Sequence, residues 1–207
     1  MELPKLNEQQ DVKRVIHHEL GHWLMAREVE FKTGGVYVDT YRGKAAGAAT
    51  VFPKAANQLV TALAVEEYLT KRIMVLCAGV LAEIEWYAKN IHNFEEEQVN
   101  DVYENGVIDT SGLTDKGRID ELMIILAGIK NKPTTKEAEE DQNQRDLFVD
   151  VYKKAREVFV GFEEKLFALA KLVEKEEWNS ATKLTIPETR IIELEKIAAS
   201  STMQTTN

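Results

Sequence analysis

Apolar side chains fall at Val15, Ile16, Leu20, Trp23, Leu24 and Ala26, the spacing of a buried helix, which is expected from about Gln10 to Glu28. Thr33-Gly34-Gly35 reads as a turn. Val36–Tyr41 has the aromatic and β-branched character of a strand, Arg42-Gly43-Lys44 reads as a connection, and Ala48–Phe52 as a second strand ended by Pro53. The small residues Ala45–Ala49 leave room for another chain against the backbone. That edge either accepts a substrate in extended form by strand addition or is a short edge strand without a ligand.

From Asn57 to about Asn90 the pattern is again helical, with Leu69, Ile73, Leu76, Val80 and Ile84 at spacings of three and four. Glu83 falls on the side of Leu76 and Val80. Three roles stay open for it: orienting a ligand histidine, binding metal itself, or standing in water at the helix edge. Asn93–Asp109 is acidic and weakly patterned. Thr110-Ser111-Gly112 reads as a turn, and Thr114 as the N-cap of a helix carrying Ile119, Leu122, Leu126 and Ile129. Asp115 then lies in the first turn, where the positive helix end favours an anion. Asn131–Gln144 is a polar loop. A long helix follows, with a stripe at Leu147, Val151, Ala155, Val158, Phe162, Leu166, Leu169 and Val173. Thr185-Ile186-Pro187-Glu188 resembles a capping box opening a last helix, and the tail from Ser200 is expected to fray.

These elements predict an α+β, predominantly helical fold: a histidine-bearing helix, a small hairpin or sheet, and a C-terminal helical bundle. With 207 residues and 44% hydrophobic content, the chain suits a single domain. Residues 1–130 would hold the chemistry, residues 145–199 the bundle, and residues 200–207 a flexible tail. A net charge of −9 without any basic cluster argues against nucleic-acid binding. The single Cys77 cannot form an intrachain disulfide and is read as core packing in a reducing compartment. The first ten residues show neither a basic nor an apolar leader segment. The longest apolar run, Ile73–Ala82, has 10 residues, against about 20 needed to span a bilayer. A cytoplasmic protein without a membrane span is the expectation.

The chemistry is concentrated in His18-Glu19-Leu20-Gly21-His22. Positions four apart share a helix face, so His18 and His22 can direct two imidazole nitrogens at one zinc ion. Glu19, beside the first ligand, can take a proton from a water polarised there and later pass it to a leaving amine. Gly21 costs about 1 kcal/mol of helix propensity relative to Ala, which fits a close backbone approach at that point. His17 lies about 100° off the ligand face, next to the site or in solvent. The residues by themselves supply two ligands and a base.

The chain resembles the peptidase domain of the FtsH family of zinc proteases, and the likeness extends beyond HExxH. The family's HEAGH resembles HELGH at 18–22. Its GRALGYTLFLP resembles Gly43–Pro53, GKAAGAATVFP, and its DRIAVLLGGRAAEE resembles Lys71–Ile84, KRIMVLCAGVLAEI. Its TGASNDLERAT resembles Thr110–Asp120, TSGLTDKGRID, and its ALLEKETL resembles Lys171–Trp178, KLVEKEEW. The likeness spans roughly residues 12–195, in order. It implies His18, His22 and Asp115 as zinc ligands and Glu19 as the general base. Glu83 then takes the place of the first glutamate of AAEE, near the site, and Arg118 that of the arginine after the family's aspartate.

The family places an ATPase module and membrane helices before its peptidase, whereas 17 residues precede His18 here and no Gly-rich phosphate loop occurs. Residues 88–109 are longer than the family's link, and a mobile flap or insertion near the site is expected there. The expectation is a stand-alone zinc metalloendopeptidase that cleaves flexible or unfolded polypeptides without ATP. Two alternatives stay open: a non-catalytic zinc-binding regulatory or interaction module, and a peptidase subunit working with a separate ATPase. Whether it assembles as a homo-oligomer also stays open.

Overall fold

A computed structural model describes residues 3–54, 58–106, 113–130 and 137–202. Among them it has six helices and one three-stranded antiparallel sheet, the predominantly helical α+β class that the patterning predicts.

Helix α1, Glu8–Glu28, starts at a capping box: Asn7 Oδ1 accepts from the Gln10 N–H at 2.9 Å, and the Asn7 N–H donates to Gln10 Oε1 at 3.1 Å. Every residue from Val15 to Ala26 is buried, because α1 is enclosed by its neighbours on all sides and not on one stripe alone. Strands β1 (Lys32–Tyr41) and β2 (Lys44–Phe52) form a hairpin closed by Arg42 and Gly43, both at positive φ. That is the backbone a two-residue hairpin turn needs to match strand twist. Strand β2 therefore begins at Lys44, paired with Tyr41, and not at Ala48.

Thr33-Gly34-Gly35 is not a turn. It lies inside β1, where the register slips between Thr33 and Val36. The irregularity is useful, since the Gly34 carbonyl accepts from Trp23 Nε1 at 2.9 Å and so ties the sheet to α1. The third strand, β3 (Lys183–Ile186), pairs with the other edge of β1 and gives the order β2-β1-β3. Thr185 and Ile186 therefore belong to a strand and not to a capping box. Glu188 instead accepts a hydrogen bond from the Thr33 hydroxyl at 2.7 Å.

Helix α2, Ala62–Asn90, starts five residues after Asn57, at the Thr61 cap. It crosses α1 closely: a Cβ on Gly21 would lie 2.5 Å from the Ala78 carbonyl oxygen, which is the close approach that Gly21 suggested. The acidic stretch after α2 contains a further helix, α3 (Glu96–Asn105). Its Gln98 and Val102, four apart, are buried, and Val102 packs with Val80, Trp86 and Tyr87. Residues 88–106 are thus the end of α2, a short turn at 91–95 and α3, packed through Gln98 and Val102. Residues 107–112, with the expected turn Thr110-Ser111-Gly112, lie outside the described residues.

Helix α4, Asp115–Lys130, is capped as predicted: Thr114 Oγ1 accepts from the Gly117 N–H at 3.1 Å. Helix α5, Glu137–Val173, begins inside the polar stretch expected as a loop, so residues 137–144 are helical. Helix α6, Glu188–Thr202, completes the fold, and residues 203–207 of the tail lie outside the described residues. One core runs from Val15 of α1 through Ile73 of α2, Leu126 of α4 and Leu166 of α5 to Ala198 of α6. No helix among the described residues is long and apolar enough to cross a membrane.

Candidate metal centre

His18 and His22 lie four apart on α1, so their rings share one face, edge to face with centroids 4.6 Å apart. Their Nε2 atoms are 3.0 Å apart. Asp115, the first residue of α4, brings Oδ2 to 2.9 Å from His18 Nε2 and 3.0 Å from His22 Nε2. All three residues are buried, and one donor atom from each lies within 4.8 Å of the others. This group could hold a metal ion.

Hydrogen bonds at the far side of each ring set its direction. His22 Nδ1 donates to the Val75 carbonyl at 2.7 Å, and His18 Nδ1 lies 2.9 Å from Glu83 Oε2. With those protons on Nδ1, both Nε2 lone pairs are presented to Asp115. Two further observations fit an ion. In that tautomer Asp115 Oδ2 is buried facing two nitrogen lone pairs and no donor, a costly arrangement for a carboxylate. And α2 makes room for the rings with Gly79, where a Cβ would lie 2.3 Å from His22 Cε1 and 2.8 Å from His18 Nε2.

Without a cation the group is a charged cluster. Burial opposes charge on His18, but the Asp115 and Glu83 carboxylates outweigh it and raise the imidazolium pKa to about 10. Burial likewise opposes the Asp115 charge, yet the two imidazoles hold its carboxyl far below the usual range. Donors drawn together by a proton are also the donors a divalent ion would draw.

Glu19 stands beside this group in a cavity of about 280 Å³, whose wall on one side is Gly47–Val51 of β2. Its Oε2 accepts from the Ala49 N–H at 2.7 Å. Burial pushes its pKa up, with His18 and His22 pulling the other way, the direction a general base needs. A larger cavity, about 600 Å³, lies between the start of α1 and the end of α5 and contains none of these residues.

The fold places Glu83 beside His18. It is buried at the Nδ1 side of His18, not in water, and it is not a member of the ligand group. Its other oxygen accepts from Arg14 Nη1 at 2.5 Å, Arg14 Nη2 donates to Asp11 Oδ1 at 2.6 Å, and Asp11 Oδ2 accepts from the Ala45 N–H at 2.7 Å. Burial disfavours the Glu83 charge, but Arg14 and then His18 more than offset it and hold its pKa down. Sequence reasoning missed Arg14 and Asp11. An Asp and an Arg three apart on a helix look like a solvated pair, and only the docking of α2 and β2 makes them internal. If the group holds a metal ion, Arg14→Met is expected to weaken its binding by about 10- to 100-fold, the range for losing a partner that orients a ligand, with Arg14→Lys recovering part of it. Competition against a chromophoric chelator reads this, and equal affinity in Arg14→Met would show that Glu83 needs no support.

His17 is neither beside the metal group nor in solvent. It is buried against Phe167 of α5, centroids 4.8 Å apart, with Nδ1 2.8 Å from the Lys13 carbonyl oxygen. Burial, helped by nearby lysines, lowers its pKa from 6.5 to about 4. The folded state therefore resists protonation that the unfolded chain accepts, so stability is lost as pH falls from about 6.5 towards 4, by roughly 3 kcal/mol in all. Urea unfolding at pH 7 and pH 4.5 should show a smaller acid loss in His17→Phe than in the wild type; parallel losses would remove His17 as a cause.

Cys77 is fully buried in the core, and burial raises its thiol pKa well above the ordinary value, so it packs as a small apolar residue. No family model matches the chain, and no curated protein matches it.

Proposed function

We propose that this chain is a zinc metallopeptidase that hydrolyses peptide bonds in flexible or unfolded polypeptides without ATP. The observation that carries the reading is the convergence of His18, His22 and Asp115 on one point, with the Glu19 carboxylate in the same cavity. The motif likeness to the FtsH peptidase domain supports it from a second direction. A zinc ion held by His18, His22 and Asp115 would act as a Lewis acid on the scissile carbonyl and lower the pKa of water at the open position.

The chain's own residues do the rest. Glu83 and the Val75 carbonyl hold the two imidazoles in the tautomer that frees Nε2. Glu19, with its proton affinity raised by burial, takes the proton from the attacking water and returns it to the leaving amine nitrogen. The small residues of β2 leave space for an extended peptide along the cavity wall, next to the point where the Ala49 N–H holds Glu19. The Asp11 and Glu19 carboxylates use the Ala45 and Ala49 N–H groups, so a substrate chain aligned with β2 competes with Glu19 for one of them. A cytoplasmic setting suits the unpaired Cys77.

Protein purified without chelator is expected to contain about one zinc per chain, as a three-ligand catalytic site requires. It should digest casein or unstructured peptides, lose that activity on chelation, and regain it when zinc is returned. Zinc held at full occupancy with no cleavage across a broad peptide panel would turn the reading to a zinc-binding module.

A further inference from the structure

Two guanidinium groups, Arg72 of α2 and Arg118 of α4, line the same cavity as His18, His22, Asp115 and Glu19. The helices explain why. Arg72 precedes Val75, which binds His22, by three residues and Gly79, which abuts both rings, by seven, so it lies on the α2 face that meets the imidazoles. Arg118 is one turn beyond Asp115 on α4. Of the cavity's two carboxylates, Asp115 faces the two imidazoles at 2.9 and 3.0 Å and Glu19 accepts from the Ala49 N–H. Among the described residues Arg72 makes no hydrogen bond or ion pair, whereas Arg118 already has an interaction of its own.

Arg72 is half-buried. Burial is the largest influence on its charge and works against it; Tyr68 and Asp115 offset part of that, Arg118 adds to it, and the net effect still disfavours the charge. A partly desolvated cation beside a like charge is costly unless an anion joins it. The anion matched to a guanidinium fork is a carboxylate, bound through two parallel N–H···O bonds. At about 280 Å³ the cavity is at the small end of ligand sites, which suits one anchoring group.

We propose that Arg72, supported by the positive charge of Arg118 on the same cavity wall, forms a carboxylate-recognition site that makes this cavity selective for peptides presenting an anion next to the scissile bond. The carboxylate is either the free C-terminus of a short peptide or the side chain of Asp or Glu. That the ligand is a peptide rests on the proposed function, while the carboxylate selectivity rests on the arginines. Arg72 acts here in binding and specificity, separate from the ligand group and from the base.

The test uses four matched peptides with the zinc-loaded full chain: Glu or Gln at one internal position, each with a free or amidated C-terminus. kcat and KM are measured for hydrolysis, and binding of the same peptides is measured on Glu19→Gln protein. The acid of a pair should be preferred over its neutral isostere by about tenfold or more, as expected of a charge-assisted hydrogen bond, and mainly through KM. Preference confined to the free terminus identifies the terminal carboxylate as the ligand, and preference confined to Glu identifies the side chain. Arg72→Gln should bring the ratio close to one, and Arg72→Lys should keep part of it. Arg118→Gln should lower the same ratio and serves if Arg72→Gln does not fold.

Equal treatment of acid and neutral peptides by the wild type would overturn the proposal. So would a preference that survives both arginine variants, or a fall in kcat shared equally by all four peptides. Charge-selective binding without any cleavage would sink the peptidase reading and leave the carboxylate site standing. Cleavage without charge preference would do the reverse.

Discussion

Replacing Glu19 by Gln is expected to lower peptide hydrolysis by at least about 10²-fold, the lower end for loss of a positioned acid–base group, while zinc content and thermal stability change little. The geometry explains the separation. Glu19 lies outside the three-donor group, and a glutamine of the same size still offers an oxygen to the Ala49 N–H that now binds Oε2. What it cannot do is accept and return a proton. His22→Ala should behave differently, losing metal and activity together because it removes a ligand nitrogen. If wild type and Glu19→Gln digest a broad panel of unfolded substrates at the same rate with zinc in both, Glu19 is not the base and the peptidase mechanism fails.

Gly79→Ala should be nearly as damaging, although one methyl group is the entire change. On propensity alone the substitution favours the helix by about 1 kcal/mol. The new Cβ would nevertheless fall 2.4 Å from His22 Nε2 and 2.8 Å from His18 Nε2. Both rings are held from behind, by the Val75 carbonyl and by Glu83, so they cannot turn aside without giving up those bonds. Overpacking of this kind costs about 1–3 kcal/mol, and displaced ligands should reduce zinc affinity by about tenfold or more, as loss of ligand orientation does. The control is Gly161→Ala on the exposed side of α5, where a Cβ meets nothing within 4 Å. It should raise the melting temperature slightly and leave metal binding alone. Wild-type zinc affinity in Gly79→Ala would mean that the close packing of α2 against the imidazoles is not what positions them.

Part of the site was legible in one dimension because its geometry is local. His18, Glu19 and His22 are related by helical periodicity, and a helix of that length with Val15, Ile16, Leu20, Trp23 and Leu24 buried follows from pattern alone. The stripes of α2 and α5 and the Thr114 cap are of the same kind, each repeating a signal over several turns or stating it in adjacent residues. Asp115 could be placed in the first turn of a helix, but its role as a third donor came only from motif likeness.

Tertiary structure decided what depends on how the elements meet. The ten-residue α3 and the four-residue β3 have too few positions for a period to stand out. Thr185 and Ile186 therefore read as a helix cap until β1 was seen to need a partner along its second edge. Gly34 and Gly35 carry the composition of a turn, and only the anchoring of Trp23 to the Gly34 carbonyl shows why a strand contains them. The link from His18 through Glu83, Arg14 and Asp11 to Ala45 joins residues from α1, α2 and β2. The room at Gly79 exists because two helices cross there. Convergence of this kind is set by packing distances between elements remote in sequence, to which the periodicity within each element is blind.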